Sequence, residues 1–312
     1  MGSAPRKLLP AVGLAVALPA LAAAQAKAPG EVKPFTLEVE VDVVSVTAVV
    51  FDKGGRFVRD LGPEDVELYE DGARQEVSYF REASTAAAER VPLSVVLALD
   101  TSGSMNRDIR FLREAVLNFV YKLEEVDTAM VVSFNESVKG SAEFTGDVDR
   151  LERFVEGLQA WGGTSLYDAI HYSLNRIRDQ PGRKAVIVFS DGADTTSTLE
   201  DREVVDYARA VEATVYSIGF KGSGGGGSPR GFLKKIASET GGQFFAPGDI
   251  GDLIKVFAEI SDELKNHYLL AYTPEREADG TWRAIEMRVN RPDTEVRVRK
   301  GYFAIKRRRA GG

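Results

Sequence analysis

Apolar and polar residues alternate where the chain first shows a pattern. Leu37, Val39, Val41 and Val43 are separated by Glu38, Glu40 and Asp42. From Val44 the apolar positions change phase, to Val44, Val46, Ala48 and Val50. A period of two predicts strands, and the phase change predicts a bulge or a bend. "DKGG" at 52–55 and "EDG" at 70–72 are turn signals inside this strand-rich stretch. "STAAAER" at 84–90 reads as a linker.

From Val91 the rhythm is different. "VPLSVVLAL" is a continuous apolar run, as expected of a strand covered on both faces. Ile109, Leu112, Val116 and Val120 recur at helical spacing within 108–123. A strand over 128–135 and a short one through Val138 follow. Helices over 148–158 and 166–177 flank the "WGGTS" loop at 161–165. Next come a strand at 184–190, a helix at 201–211, a strand at 214–220, a helix at 231–240, the strand "QFFA" and a long helix at 250–266. Strands alternating with helices predict a doubly wound, mostly parallel α/β sheet.

The pattern then returns to strands in "HYLLAYT", "WRAIEMRV" and "TEVRVR". Segments of roughly 40 residues are marginal as independent cores. The two flanks, 33–82 and 267–305, are therefore expected to pair into one small sandwich-like β domain. The α/β segment 91–266 would be inserted between them, entered through a linker at 83–90.

Composition narrows the class. With 44% hydrophobic and 28% charged residues, the 312-residue chain has the make-up of a soluble globular protein. Its formal charge of −7 disfavours nucleic acid and anionic membranes as partners. The basic run in 306–312 reads as a solvated tail. Arg6 and Lys7 precede an apolar run over 8–24 that ends in "ALAAAQA". This is the pattern of a cleaved secretory signal over 1–26, and the run falls short of the ~20 apolar residues a membrane span needs. An exported protein, periplasmic or extracellular and without stable membrane insertion after cleavage, is the expectation. The absence of cysteine excludes disulfides, thiolate metal sites and cysteine nucleophiles.

Open parallel sheets bind ligands beyond the carboxyl ends of their strands. Three features fall there. Asp100 closes the strand "VVLAL" and opens the loop bearing Ser102 and Ser104; Asp191 follows "AVIVFS"; Thr164 lies in a loop just before a helix. Two carboxylates and three hydroxyls are donors for a hard divalent cation, Mg²⁺ or else Mn²⁺ or Ca²⁺. No histidine or sulfur accompanies them to favour a softer metal. Gly103, Gly162, Gly163 and Gly192 allow these loops to turn tightly. The competing reading is that Ser102 merely caps the following helix.

Other candidates are weaker. Asp168 reads as a first-turn helix acid, and Asp194 as a solvated loop acid or an outer group of the site. "KGSGGGGSPRG" lacks the Gly-Lys-Ser/Thr of a P-loop, so its glycines mark a flexible loop. His171 and His267 read as surface or packing residues, and Tyr268, Tyr272 and Tyr302 as strand and core residues.

"DTSGS", "GGTSLYDA" and "FSDGAD", in this order on the expected strand ends, resemble the metal-ion-dependent adhesion site of von Willebrand factor A domains. The likeness covers about 91–266 and implies a Rossmann-like fold. It also implies direct ligation by Ser102, Ser104 and Thr164, with Asp100 and Asp191 acting partly through water. A carboxylate from a partner would fill the remaining coordination position. The flanks "DKGGRFVRDLGPEDVELYEDGARQEVSYF", "YLLAYTPEREADGTWRAIEMRV" and "VRKGYF" resemble the acidobacterial VWFA-related family of exported proteins. The resemblance further implies coupling between the last helix of the A domain and the metal site.

The expected function is a secreted, metal-dependent protein-binding module, for adhesion or complex assembly, that captures an Asp or Glu of its partner. A structural scaffold with a merely stabilising metal is the alternative. A Mg²⁺-assisted hydrolase is less favoured, because no general base or phosphate clamp is legible near the three loops. No catalytic residue is therefore expected.

Overall fold

A computed structural model of the chain describes residues 43–83, 91–220 and 229–305. The expected signal at 1–26, the first alternating positions up to 42, the linker residues 84–90, residues 221–228 of the glycine-rich loop and the basic tail at 306–312 lie outside the described residues. The rest belongs to one compact unit, Val41–Gly312.

The central sheet takes its strands from the alternating α/β segment. They are β5 (Leu93–Asp100), β6 (Thr128–Phe134), β7 (Val138–Gly140), β8 (Arg183–Ser190), β9 (Thr214–Gly219) and β10 (Phe244–Phe245), in the order β10-β9-β8-β5-β6-β7. Every neighbouring pair is parallel except β6 and β7. The helices are α1 (Ile109–Val120), α2 (Val148–Glu156), α3 (Leu166–Ile177), α4 (Asp201–Ala210), α5 (Arg230–Thr240) and α6 (Leu253–Lys265).

All eight residues of β5 are buried, because both faces of the strand are covered. Leu93, Val95, Leu97 and Leu99 pack with α1, α2 and α6. Val96 and Ala98, on the opposite face, pack with α3, α4 and α5. Strand β5 connects through α1 to β6 on one side, and the chain then crosses to β8 on the other. The crevice between the ends of β5 and β8 is thus the switch point of the sheet, where a ligand site is expected.

Helix α6 starts three residues later than the sequence pattern predicts, while α1 starts where expected and is preceded by a 3-10 turn, Gly103–Arg107. Ile250–Asp252 form another before α6, where Asp249 accepts from the Gly251 amide at 2.8 Å and ties the entry.

The two chain ends combine as their apolar pattern requires. The remaining strands are β1 (Val44–Asp52), β2 (Val66–Glu70), β3 (Ala73–Gln75), β4 (Val77–Glu82), β11 (Tyr268–Tyr272), β12 (Trp282–Val289), β13 (Thr294–Val298) and β14 (Gly301–Phe303). They form two antiparallel sheets, β13-β1-β11-β4 and β14-β12-β2-β3, each containing strands from both ends. Val46, Ala48 and Leu270 from one sheet share a core with Leu68, Ile285 and Met287 from the other. The even-phase residues Val44, Val46, Ala48 and Val50 are buried, whereas Val43 is exposed.

A polar group sits inside this sandwich. Glu70, 3% exposed, accepts hydrogen bonds from Tyr272 Oη at 2.7 Å, Tyr302 Oη at 2.8 Å and Arg283 Nη1 at 3.2 Å. Arg283 is itself 1% exposed. Burial, then the bond to Glu70, pushes the Tyr302 hydroxyl up to about 12.

Helix α6 runs into β11 through His267, which is buried. Arg183 Nη1 lies 3.4 Å from His267 Nδ1. A guanidinium can only donate, so Nδ1 accepts and the ring is held neutral. Burial first, and the Arg183 charge second, depress the His267 pKa from 6.5 to about 3. As pH falls below 6.5, the unfolded chain binds a proton that the folded chain refuses. Stability is then lost by up to about 1.4 kcal/mol per pH unit until the folded value is reached. We expect His267→Gln to flatten this part of the acid limb between about pH 6 and pH 4, measured as the wild-type-minus-variant difference in urea-unfolding free energy. The difference isolates His267 from carboxylates with raised pKa values, which act in the opposite direction.

Candidate functional site

The crevice is lined by three loops. The first leaves β5 at Asp100, which is fully buried. Its Oδ1 accepts from the Ser102 amide at 2.8 Å and its Oδ2 from the Ser190 hydroxyl at 2.7 Å. Ser102 occupies the position before the 3-10 turn, yet its side chain makes no capping bond. Instead its Oγ lies 2.9 Å from Ser104 Oγ, which donates to Asp191 Oδ1 at 2.8 Å. A hydroxyl has one proton, so Ser104, whose proton goes to Asp191, can only accept from Ser102, and the Ser102 hydroxyl also faces the Asp100 carboxylate. Capping therefore does not explain this serine.

The second loop carries Thr164 and is pinned to the first. Gly103 donates its amide to Gly162 O at 2.9 Å, and Trp161 donates to Thr101 O at 2.9 Å. A Cβ at position 103 would stand 3.3 Å from Gly162 O, and Gly162 itself has φ +71°. Glycine is favoured at both, by the close approach at 103 and by the conformation at 162.

The third loop follows β8 with Asp191, and the space at Gly192 faces Thr164 Oγ1, 3.7 Å from where a Cβ would lie. Asp100, Ser102, Ser104, Thr164 and Asp191 are therefore brought to one crevice. The Ser190 hydroxyl, not among the residues expected from the sequence, also belongs to it. Its signal was a polar residue ending the apolar run "AVIVF".

The second and third loops are fastened to each other by Asp168 and Asp194. Asp168 accepts from the amides of Thr198 and Leu199, each at 3.0 Å. Asp194 accepts from the Tyr167 amide at 3.0 Å and from the Ser197 amide at 3.1 Å. Thr195 Oγ1 accepts from the Thr164 amide at 2.9 Å, and the Ser165 and Thr196 hydroxyls lie 2.8 Å apart. Asp168 is a first-turn acid of α3, as expected. Asp194 is a part-buried tie between loops rather than a solvated acid.

The electrostatics of the crevice disfavour its two carboxylates as free anions. Burial, reinforced by the Asp191 charge, raises the Asp100 pKa to about 6. Burial also raises that of Asp191, with a further push from Asp108. Asp191 Oδ2 is buried and has no hydrogen-bond partner among the described residues. A buried, unmatched carboxylate oxygen is costly unless a cation or a donor meets it. Among the described residues no three His, Cys, Asp or Glu side chains cluster as a metal cage. The donor set is instead two carboxylates and three hydroxyls, which fits a hard divalent ion that retains water.

A model of the von Willebrand factor type A domain matches residues 94–259, more than half of the chain. The chain belongs to the von Willebrand factor type A (VWA) domain family. The matched span begins in β5 and ends in α6, so it holds all three loops. Inter-alpha-trypsin inhibitor heavy chain H4 of Homo sapiens is 28% identical over 200 residues, 59% of this chain and 21% of that protein. Its Bos taurus counterpart is 27% identical over 186 residues, 53% and 19% respectively. The chain thus spans only about a fifth of the length of these relatives.

Among solved structures, a von Willebrand factor type A protein from Catenulispora acidiphila aligns with a TM-score of 0.51 at 17% identity, over 77% of this chain and 62% of that one. Proximal thread matrix protein 1 of the mussel byssus, solved with a zinc-occupied MIDAS motif, gives 0.50 at 15% identity, over 59% and 47%. At these identities the likeness is one of fold. VWA domains typically mediate protein–protein interaction through a metal site and are generally not enzymes. Among the described residues no helix is long and apolar enough to cross a membrane.

Proposed function

We propose that this VWA domain captures a carboxylate of a partner protein through a divalent ion, Mg²⁺ in the first instance, held by Asp100, Ser102, Ser104, Thr164 and Asp191. The observation that carries this reading is the run of oxygens from Ser102 through Ser104 to Asp191 Oδ1, on a buried carboxylate whose other oxygen, Oδ2, has no partner among the described residues. Ser102, Ser104 and Thr164 would ligate directly, with Asp100 and Asp191 partly through water. When bound, the ion supplies a Lewis-acidic position, left electron-poor by three neutral hydroxyls, for an Asp or Glu of the partner. The protein's own part is to hold the five side chains in place and to keep Asp100 out of water. The pattern in 1–26 supports action outside the cytoplasm, in adhesion or complex assembly.

Capture from an extracellular fraction, with Mg²⁺ or EDTA and with wild type or Asp100→Ala, tests the function. The same partner should be retained only by wild type in Mg²⁺. Retention unchanged by EDTA and by the substitution would refute the proposal. A change in melting temperature with unchanged partners would favour the scaffold reading.

The ties between loops make a separate prediction. Asp194→Asn leaves the five proposed ligands in place but weakens the hold on the Tyr167 amide. We expect Mg²⁺ affinity by calorimetry to drop about 10-fold, the usual effect of losing an outer-shell orienting group.

A further inference from the structure

Trp161 is 53% exposed, although its backbone is fixed. Its amide donates to Thr101 O at 2.9 Å, and the next residue, Gly162, accepts from Gly103 at 2.9 Å. The preceding turn is anchored by buried Leu158, whose carbonyl accepts from Arg113 of α1. The chain holds the indole out in water on a loop tied at both ends. Single exposed apolar residues are ordinary on protein surfaces. Among the exposed large apolar residues described, however, Trp161 alone stands on a loop carrying a candidate metal ligand, three residues from Thr164.

Its other neighbour is the serine loop. A Cβ on Gly103, which lies between Ser102 and Ser104, would come 4.0 Å from the Trp161 carbonyl carbon. The indole is therefore rooted beside the ion cup. Consecutive Cα atoms are about 3.8 Å apart, so residues one or two places from a captured acid come within its reach. Around the cup Glu136, Asp108 and Asp191 are acidic, and the one guanidinium already placed beside this loop, that of Arg113, is part-buried and engaged at the Leu158 carbonyl. Glu136 is exposed and accepts from the Gly163 amide at 3.3 Å. A second acid on the partner would meet repulsion there, whereas an apolar side chain would gain by covering the ring. Tryptophan on a preorganised backbone is the residue type that most often dominates an interface.

We propose that Trp161 reads the partner's side chain next to its captured acid, and that this side chain is apolar, either aromatic or long aliphatic. The inference rests on the metal-dependent reading of the cup. The test pans phage-displayed short peptides, with a fixed central Asp and random flanks, on the full chain in millimolar Mg²⁺. Wild type should enrich Trp, Phe or Leu one or two places from the Asp, in phage released by EDTA. Trp161→Ala should bind the enriched peptides about 30-fold more weakly, with Mg²⁺ affinity by calorimetry unchanged, and Trp161→Phe should restore most of the binding. EDTA-released peptides without a flanking preference, or indifferent to Trp161→Ala, overturn the role of Trp161 and leave the cup standing. Failure to enrich, or enrichment that EDTA does not reverse, overturns the metal-dependent reading and this inference with it.

Discussion

Replacing Asp191 with alanine is expected to lower divalent-ion affinity at least about 100-fold while leaving the metal-free protein as stable as wild type, or more so. The first half follows from charge. A 100-fold loss is about 2.7 kcal/mol, a modest share of the attraction between a carboxylate and a divalent ion a few ångströms apart, even at an effective dielectric of about 20. The second half follows from the unfavourable setting of this carboxylate without an ion. It is buried, its Oδ2 lacks a partner among the described residues, and its charge adds to the cost of ionising Asp100. Removing it relieves both terms and leaves Ser104 as the group that loses an acceptor. A residue serving only the fold would behave in the opposite way. Calorimetric Mg²⁺ titration together with thermal unfolding in EDTA separates the two cases.

Glu70→Ala is expected to destabilise the chain by about 3–5 kcal/mol, the range for breaking a buried ion pair from one side. The substitution leaves Arg283 charged and buried, and it takes the acceptor from Tyr272 and Tyr302 together. The pair as a whole need not be stabilising. Replacing Glu70 and Arg283 together by leucine should recover much of the loss, because an apolar pair carries no desolvation cost. Urea unfolding of wild type, the single variant and the double variant measures both effects. The sandwich lies apart from the cup, so Mg²⁺ affinity of whichever variants fold should be unchanged.

Much of the fold was legible because each layer imposes its own period. The runs around Val95 and Ile187 are continuous because helices cover both faces of β5 and β8. Val44 to Val50 alternate because one face of β1 meets the sandwich core, while the other carries Ser45 and Thr47 beside a buried Val49. The pairing of the chain ends followed from length, since neither flank could bury its apolar face alone. One helix start was less legible. At Ile250–Asp252 a 3-10 turn replaces the first expected turn of α6, a choice set by loop closure rather than by periodicity.

At the site, the five candidate residues were legible because oxygen-bearing side chains at strand ends break apolar runs. The supporting residues were not. Asp168 and Asp194 act on backbone amides about thirty positions away, and a sequence cannot show which amide a carboxylate will meet. The Glu70–Arg283 pair was hidden for the same reason. Each looks like a surface charge on a strand until the pairing of β2 with β12 brings the charges together.

If these three loops hold one divalent ion, the amides around it must sense it. Mn²⁺ titration followed by proton–nitrogen NMR tests this most directly, because the paramagnetic ion broadens only the amides near it. Sub-stoichiometric Mn²⁺ should selectively broaden the amides of Ser102, Gly103, Ser104, Thr164 and Gly192, excess Mg²⁺ should restore them, and Asp191→Ala should show no such effect. Broadening centred on other acidic surface, with these five amides untouched, would contradict an ion held by these loops.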